Sequence, residues 1–281
     1  MAADKQAASP ASGSAEKVEH VGKAENVAAS IPASRAERAG LPVGMRARAE
    51  RLRAVKGFTV GPLDEFERSG RLQLATLVQE GLYPSSTLLD VGCGSLRAGY
   101  WFMNFLEPGR YHGINPRSWE IDQGLEYIVE QELAEYAKPR FAYNDDFDLS
   151  VFGVEFDFVV ARSVWSHTTK AQIEAMLDSF LVTCPRGVML VSYLPASRLP
   201  EPVRVPLYAG IRKVPGLAIK LRDLRGHRLA PPDYQGDEWE KALVGHDRKW
   251  VFAQCARRGL AVRELDYFYV GSQKWLRIEH Q

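Results

Sequence analysis

The stretch from Leu88 to Gly94 (LLDVGCG) combines residue types that can bind a nucleoside. A short apolar run ends in an acid, Asp90, and Gly92 and Gly94 follow it. Glycine adopts positive φ angles and allows the backbone to approach a ligand closely. A helix that begins beyond such a turn offers free N–H groups to a carboxylate or a phosphate. The turn therefore predicts a site for a dinucleotide or another nucleoside ligand.

The residues around the turn distinguish between a dinucleotide and another nucleoside as the ligand. The dinucleotide fingerprint G-x-G-x-x-G needs a glycine where Arg97 stands, and a P-loop needs G-K-[ST], which the stretch lacks. Asp90 suits a nucleoside that carries an amino acid, because its carboxylate can face the ligand's ammonium group. A nicotinamide-dependent oxidoreductase is thus disfavoured, and a bare strand–helix turn without a ligand is the structural alternative.

The elements that position this turn alternate between strand and helix from Thr87 onward. Short apolar runs predict seven strands, at Thr87–Val91, Arg110–Ile114, Arg140–Tyr143, Phe156–Ala161, Val188–Tyr193, Ala261–Tyr267 and Gln273–Glu279. Helical spacing predicts helices at Met45–Lys56, Leu63–Glu80, Trp119–Ala137, Lys170–Thr183 and Lys249–Arg258, and one through Trp101 and Phe105. This order predicts an α/β fold with a parallel sheet covered by helices on both faces.

Composition divides the chain into three parts. Residues 1–40 contain no aromatic residue and are rich in Ala, Ser, Glu and Lys, so we expect a disordered tail. Residues 41–82 carry two N-terminal helices, and residues 83–281 form the main domain, with a basic insertion at about 195–246. The insertion fits three roles: a substrate lid that prefers anionic groups, a peripheral contact for an anionic lipid surface, or a solvated loop.

Charge and cysteine content restrict the partners and the compartment. The chain has 36 Lys and Arg against 35 Asp and Glu, and this balance gives no reason to expect nucleic acid. Cys93, Cys184 and Cys255 form no C-x-x-C pair, which predicts neither a disulfide framework nor a metal site. A signal-peptide h-region and an apolar run of roughly 18 residues are both missing, so we expect a cytoplasmic protein without a transmembrane segment.

The segment Leu88–Gly99 (LLDVGCGSLRAG) resembles motif I of the class I, Rossmann-like S-adenosylmethionine (SAM)-dependent methyltransferases. The stretches RYHGIN, FAYNDDFDL, FDFVVARSVWSH, PRGVMLVSY and KWLRIEH resemble later parts of the family in the same order. The resemblance covers roughly residues 71–193 and 247–279. It implies a three-layer sandwich with a seven-stranded, mostly parallel sheet of order 3-2-1-4-5-7-6, and a ligand beyond the carboxyl ends of the strands.

The resemblance also implies which residues bind the cofactor SAM. The methionine end would be lined by the glycine turn with its preceding acid: Asp90, Gly92, Cys93 and Gly94. The adenine end would meet Asp145, which accepts a hydrogen bond from the amino group, while Asp146 and Phe147 flank the ring. Arg162 would lie close to the methyl donor.

Two positions near the turn have alternative interpretations. Asn115 stands where the family usually has an acid that accepts from both ribose hydroxyls, and an amide nitrogen can only donate. Glu120 or Asp122 could replace that acid. Arg97 either pairs with the carboxylate of the cofactor or lies in solvent.

His167 is the candidate catalytic residue, because it follows the fourth predicted strand. It would take a proton from an oxygen or nitrogen nucleophile. The alternative is that it caps the next helix or fixes the loop. Positioning alone can also suffice, since methyl transfer is an in-line displacement on an activated sulfonium.

These observations predict methyl transfer from SAM to an oxygen, nitrogen or carbon atom of a small-molecule acceptor. One rival is a non-catalytic nucleoside-binding or scaffold protein on the same fold, for which Asn115 is the best support. The other rival is the NAD(P)-dependent oxidoreductase already disfavoured by Arg97.

Overall fold

The computed structural model describes residues 44–54, 65–196, 244–266 and 273–281. The described residues form an eight-stranded sheet with the order β3-β2-β1-β4-β5-β8-β7, and β6 pairs with the end of β5. The strands are β1 (Leu88–Val91), β2 (Tyr111–Ile114), β3 (Arg140–Ala142), β4 (Phe158–Ala161), β5 (Val188–Pro195), β6 (Gly245–His246), β7 (Leu260–Leu265) and β8 (Lys274–His280).

The sheet is parallel from β3 to β5, and β8 runs antiparallel to both β5 and β7. With β6 set aside, the order is the expected 3-2-1-4-5-7-6, so the sequence-based prediction of the sheet is confirmed. The strand β6 was not predicted, because two residues are too short for a periodic pattern. It lies parallel to β5, with Gly245 opposite Leu194.

Seven α-helices of the described residues cover the two faces of the sheet. They are α1 (Met45–Arg53), α2 (Phe66–Gln79), α3 (Gly99–Phe105), α4 (Ser118–Tyr127), α5 (Gln131–Ala137), α6 (Lys170–Thr183) and α7 (Arg248–Arg257). Side chains of α1 to α5 share one hydrophobic cluster with Leu88, and side chains of α6 and α7 share the other with Leu89. Neighbouring strand residues point to opposite faces, so the sheet separates the two clusters and the three layers follow.

The predicted single helix over Trp119–Ala137 is wrong, because the chain leaves the helix after Tyr127 and starts α5 at Gln131. At the break, the Nη1 group of Arg48 donates to the carbonyl of Ile128 over 2.8 Å. The same guanidinium pairs with the carboxylate of Glu130. Arg48 thus supplies a donor for a carbonyl that the interrupted helix leaves open. The partner lies about 80 positions away, so a local pattern could not reveal the break.

The helix α6 begins and ends where the sequence predicts. The Thr169 side chain accepts from the backbone N–H of Gln172, and the Gln172 side chain accepts from the backbone of Thr169. This capping box satisfies free N–H groups at the start of the helix and fixes its first residue.

Several expectations lie outside the described residues: the tail over residues 1–40, the end of the first helix at Lys56, and residues 197–243 of the insertion. The ends of that insertion are described, and they meet, because the backbone N–H of Ala196 donates to the carbonyl of His246 over 2.9 Å. Among the helices of the described ranges, none combines the length and the apolar character that crossing a bilayer requires.

Candidate functional site

The glycine turn leaves the carboxyl end of β1 and spans residues 92–98. Gly92 and Gly94 have φ angles of 73° and 50°, a region that favours glycine. Leu96 also has a positive φ of 58° and is fully buried. The helix α3 begins at Gly99, so Arg97 lies in the turn that precedes this helix.

Asp90 is the last but one residue of β1 and carries a buried carboxyl group, with 3% of the residue's surface exposed. The hydroxyl of Tyr111 donates to its Oδ2 over 3.0 Å. Gly99 leaves room for that hydroxyl, since a Cβ atom there would lie 2.5 Å from it. Burial raises the pKa of Asp90 to about 7, against the opposing effects of Tyr111 and Arg97. The group is therefore near its midpoint at neutral pH, and a bound cation would favour its carboxylate form.

Arg97 lies beside Asp90 and is partly buried, so the interpretation that it simply lies in solvent is wrong. Burial lowers its pKa to about 10, and the charge of Asp90 opposes that change. The guanidinium still carries its charge at neutral pH.

The side chain of Asn115 connects the glycine turn to α4. Its Oδ1 accepts from the backbone N–H of Gly94 over 3.2 Å. Its Nδ2 donates to the carbonyl of Arg117 and to Oε2 of Glu120, both over 2.9 Å. Asn115 therefore holds the turn and a neighbouring carboxylate in place.

Glu120, and not Asp122, lies against the glycine turn. A Cβ atom at Gly94 would be 4.0 Å from Oε2 of Glu120, and only 7% of Glu120 is exposed. Asp122 is exposed. Burial and the charges of Asp90 and Glu120 raise the pKa of the Cys93 thiol, which places both carboxylates near the centre of the turn. Two acids thus flank one glycine turn.

The predicted adenine loop follows β3. Asp145 and Asp146 are both exposed, and Oδ1 of Asp146 accepts from the backbone N–H of Asp148 over 3.1 Å. Phe147 has a φ of 61° and is 7% exposed, and its ring belongs to the same hydrophobic cluster as Ile114. The loop is fixed by its own contacts, with the Asp145 carboxylate facing solvent and Phe147 packed beneath it.

The segment after β4 touches the glycine turn. A Cβ atom at Gly92 would lie 2.7 Å from Cγ2 of Val164, so the two segments are in direct contact. Ser163 has a φ of 62°, and its backbone N–H donates to Oγ of Ser192 over 2.8 Å. Its carbonyl accepts from Oγ of Ser166 over 2.9 Å. The contacts stabilise a backbone conformation that is costly for a serine.

His167 ends a short 3₁₀ helix, Trp165–His167, between β4 and α6. It does not cap α6, because Thr169 does so, and one of its alternative roles is thereby excluded. A second histidine, His246, is buried and its Nε2 lies 2.8 Å from the carbonyl oxygen of Trp165. This contact connects β6 to the 3₁₀ helix that carries His167.

Known structures share this fold, whereas no protein-family model and no curated protein matches the chain. Magnesium protoporphyrin IX methyltransferase from Synechocystis PCC 6803, with bound S-adenosylhomocysteine (SAH), superposes with a TM-score of 0.51 at 17% identity, over 83% of this chain and 93% of that one. An O-methyltransferase family protein from Burkholderia thailandensis gives 0.51 at 14% identity, over 83% of this chain and 59% of that one. The protein has a class I methyltransferase fold. At these identities the likeness concerns the fold alone.

Three side chains of this methyltransferase fold were missed by the sequence reasoning, namely Tyr111, Ser163 and His246. Tyr111 had a usable signal, because it lies on the strand next to Asp90 and alternation places both on one face of the sheet. Ser163 and His246 act through partners far away in the chain. Their roles are set by tertiary contacts that no local pattern records.

Proposed function

We propose that this chain is a SAM-dependent methyltransferase that acts on a small-molecule acceptor. One observation carries the proposal: the buried carboxyl groups of Asp90 and Glu120 flank a glycine turn at the carboxyl edge of a parallel sheet. A nucleoside that bears an amino acid needs an anion for its ammonium group and acceptors for its ribose hydroxyls, and the turn brings both together.

The residues present fit this cofactor. Asp90 would bind the ammonium group, and Arg97 beside it would bind the carboxylate. Glu120 would accept from the ribose hydroxyls, which an ionised carboxylate can do with both oxygens. Asn115 would act as a positioning residue, because it donates to Glu120 and accepts from the turn at Gly94.

The adenine end would lie over the loop after β3. The exposed carboxylate of Asp145 would accept from the amino group, and Asp146 and Phe147 would flank the ring. The internal hydrogen bond from the backbone of Asp148 to Asp146 supports this role, because it fixes the loop before a ligand arrives.

Bound SAM supplies a methyl group on an activated sulfonium. The chain has to exclude water, orient the acceptor and remove its proton where the nucleophile is an oxygen or a nitrogen. We assign the proton removal to His167, since its segment touches the glycine turn through Val164 and Gly92. For a carbon nucleophile the same segment would serve orientation.

Direct binding tests this proposal. We expect calorimetry to show SAH binding to the wild-type protein and no binding of NADP. Gly94→Val should abolish SAH binding, because its side chain projects into the ligand site. Gly109→Val is the matched control: Gly109 also has a positive φ, 78°, and a Cβ atom there would meet nothing within 4 Å. Valine at position 109 should strain the backbone to a similar extent. Because Gly109 lies outside the proposed site, SAH binding should persist in this variant.

Two results would overturn the assignment: a wild-type protein that binds NADP and not SAH, or a folded protein that binds neither. The non-catalytic rival predicts a third pattern. In that case SAH binds, but no labelled methyl group passes from SAM to any compound of a small-molecule extract.

A further inference from the structure

A polar network fixes the side chain of Arg162 at the carboxyl end of β4. Its Nη1 donates to Oγ of Ser163 over 2.7 Å, and Nε2 of Gln273 donates to the same oxygen over 2.7 Å. The hydroxyl of Ser192 donates to Oε1 of Gln273 over 2.5 Å and accepts from the backbone N–H of Ser163. Ser163 just after β4, Ser192 on β5 and Gln273 just before β8 therefore form the network that orients one guanidinium.

The charge of Arg162 interacts with groups of both the glycine turn and the segment before α2. Its charge interacts with that of Arg97 in the turn and with that of Glu65, which precedes α2. The helix α2 also packs on the turn, because Gly70 lies directly against the backbone carbonyl of Arg97. Arg97 thus interacts with Asp90, and Arg162 interacts with a like charge, Arg97, and an opposite charge, Glu65.

The electrostatics of this place favour an anionic acceptor. With SAM bound, Asp90 would meet the ammonium group and Arg97 the carboxylate, and Arg162 would add a second guanidinium that interacts with that of Arg97. Burial and the charge of Arg97 lower the pKa of Arg162 to about 9, and the charge of Glu65 only partly opposes them. An anion next to these groups would offset the repulsion in a medium less polar than water. A guanidinium is also the side chain best suited to bind a carboxylate or phosphate through two parallel hydrogen bonds.

We propose that Arg162 binds an anionic group, a carboxylate or a phosphate, of the methyl acceptor. The acceptors of this enzyme would then be small organic acids or phosphate esters. The proposal rests on the proposed function, and it moves Arg162 from the cofactor to the acceptor side of the site. Ser163, Ser192 and Gln273 are its positioning residues.

Small anions test this proposal without knowledge of the acceptor. With saturating SAH and ionic strength held constant with NaCl, sodium phosphate or sodium acetate should raise the melting temperature of the wild-type protein by mass action. Arg162→Gln should weaken the anion effect by about tenfold in apparent affinity, and Arg162→Lys should keep part of it. Arg186→Gln, which removes an exposed arginine paired with Glu155, is the control and should leave the effect unchanged.

Comparing phosphate with acetate identifies the kind of anion, and the SAH-binding measurement distinguishes failure of this inference from failure of the proposed function. A shift with phosphate alone indicates phosphate esters, and a shift with acetate alone indicates carboxylic acids. Ser192→Ala keeps the guanidinium but removes a link of the network, so it should reduce the shift even if Arg162→Gln does not fold. The inference is overturned if SAH binds but neither anion stabilises the wild type, or if Arg162→Gln keeps the full shift. Failure of SAH itself to bind refutes the proposed function instead.

Discussion

The hydroxyl of Tyr111, on β2, donates a 3.0 Å hydrogen bond to Oδ2 of Asp90, near the carboxyl end of β1. The bond is one of the interactions that oppose the effect of burial on the pKa of Asp90, which nevertheless rises to about 7. The charge on a residue proposed to bind an ammonium group therefore depends on its neighbour on β2.

Tyr111→Phe should move the pH dependence of SAH binding. Binding to an ammonium group needs the Asp90 carboxylate, so the affinity of the wild type should fall as the pH drops below about 7. Without the hydroxyl the pKa rises further, and the midpoint should move upward by roughly one pH unit. Calorimetry between pH 6 and 8.5 measures this midpoint. Tyr136→Phe, at an exposed tyrosine, should leave it in place, and an unchanged midpoint in Tyr111→Phe would remove Asp90 from the ligand site.

Acid should destabilise the fold through His112. Its ring packs edge-on against Phe152 and Phe156 at 4.9 and 5.1 Å, and burial lowers its pKa to about 4. The unfolded chain binds the proton near pH 6.5, so the free energy of unfolding falls as the pH drops from about 6.5 towards 4.

His112→Phe should remove that part of the acid sensitivity. Between pH 6.5 and 5 the wild type should lose about 2 kcal/mol through this group, and the variant should not. Asp90 titrates in both proteins, so its contribution cancels in the comparison. Urea unfolding at the two pH values measures the difference, and equal losses in both proteins would contradict a neutral His112.

Glu80, at the end of α2, forms ion pairs with arginines of β7 and β8. Its carboxylate, 4% exposed, pairs with Arg263 at 2.5 Å and with Arg277 at 2.9 Å. Glu80→Gln leaves two arginines without this partner and should cost about 2–4 kcal/mol in the free energy of unfolding. Glu67→Gln breaks an exposed pair with Arg71 and should cost at most about 0.5 kcal/mol. Similar losses in urea unfolding would show that the burial of Glu80 has no energetic consequence.

Much of the fold could be predicted because local signals and tertiary structure agree. The helix α6 follows from the capping residues Thr169 and Gln172 together with an apolar period, and both ends match. The break after Tyr127 could not be predicted, since the donor that makes it possible is Arg48, on α1. The strand β6 exists only through its pairing with β5.

Only part of the candidate site could be predicted from the sequence. The turn around Gly92 and Gly94 follows from a local motif, since positive φ angles require glycine there. The choice between Glu120 and Asp122 could not be made from the sequence, because it depends on which face of α4 meets the turn. In the structure it is Glu120 that lies against the turn and accepts a hydrogen bond from Asn115.

Asn115→Asp tests that arrangement. If the carboxylate of Glu120 already serves the ribose, the new acid would stand next to a like charge, at the 2.9 Å separation of the present hydrogen bond. SAH affinity should then stay flat or decrease, because one of the two acids would have to take up a proton. A several-fold increase in affinity in calorimetry would show instead that the family's usual acid position is functional here.

We propose that Glu120 beside the glycine turn binds the ribose of SAM, and titration of SAH into the wild type and Glu120→Gln tests this role. We expect the wild type to bind and Glu120→Gln to lose about 1–3 kcal/mol, the cost of removing a buried charged acceptor. Glu132→Gln is the control, since Glu132 is an exposed acid in the first turn of α5 and should have no effect. Equal SAH affinity in wild type and Glu120→Gln, or no binding to a folded wild type, would contradict the account.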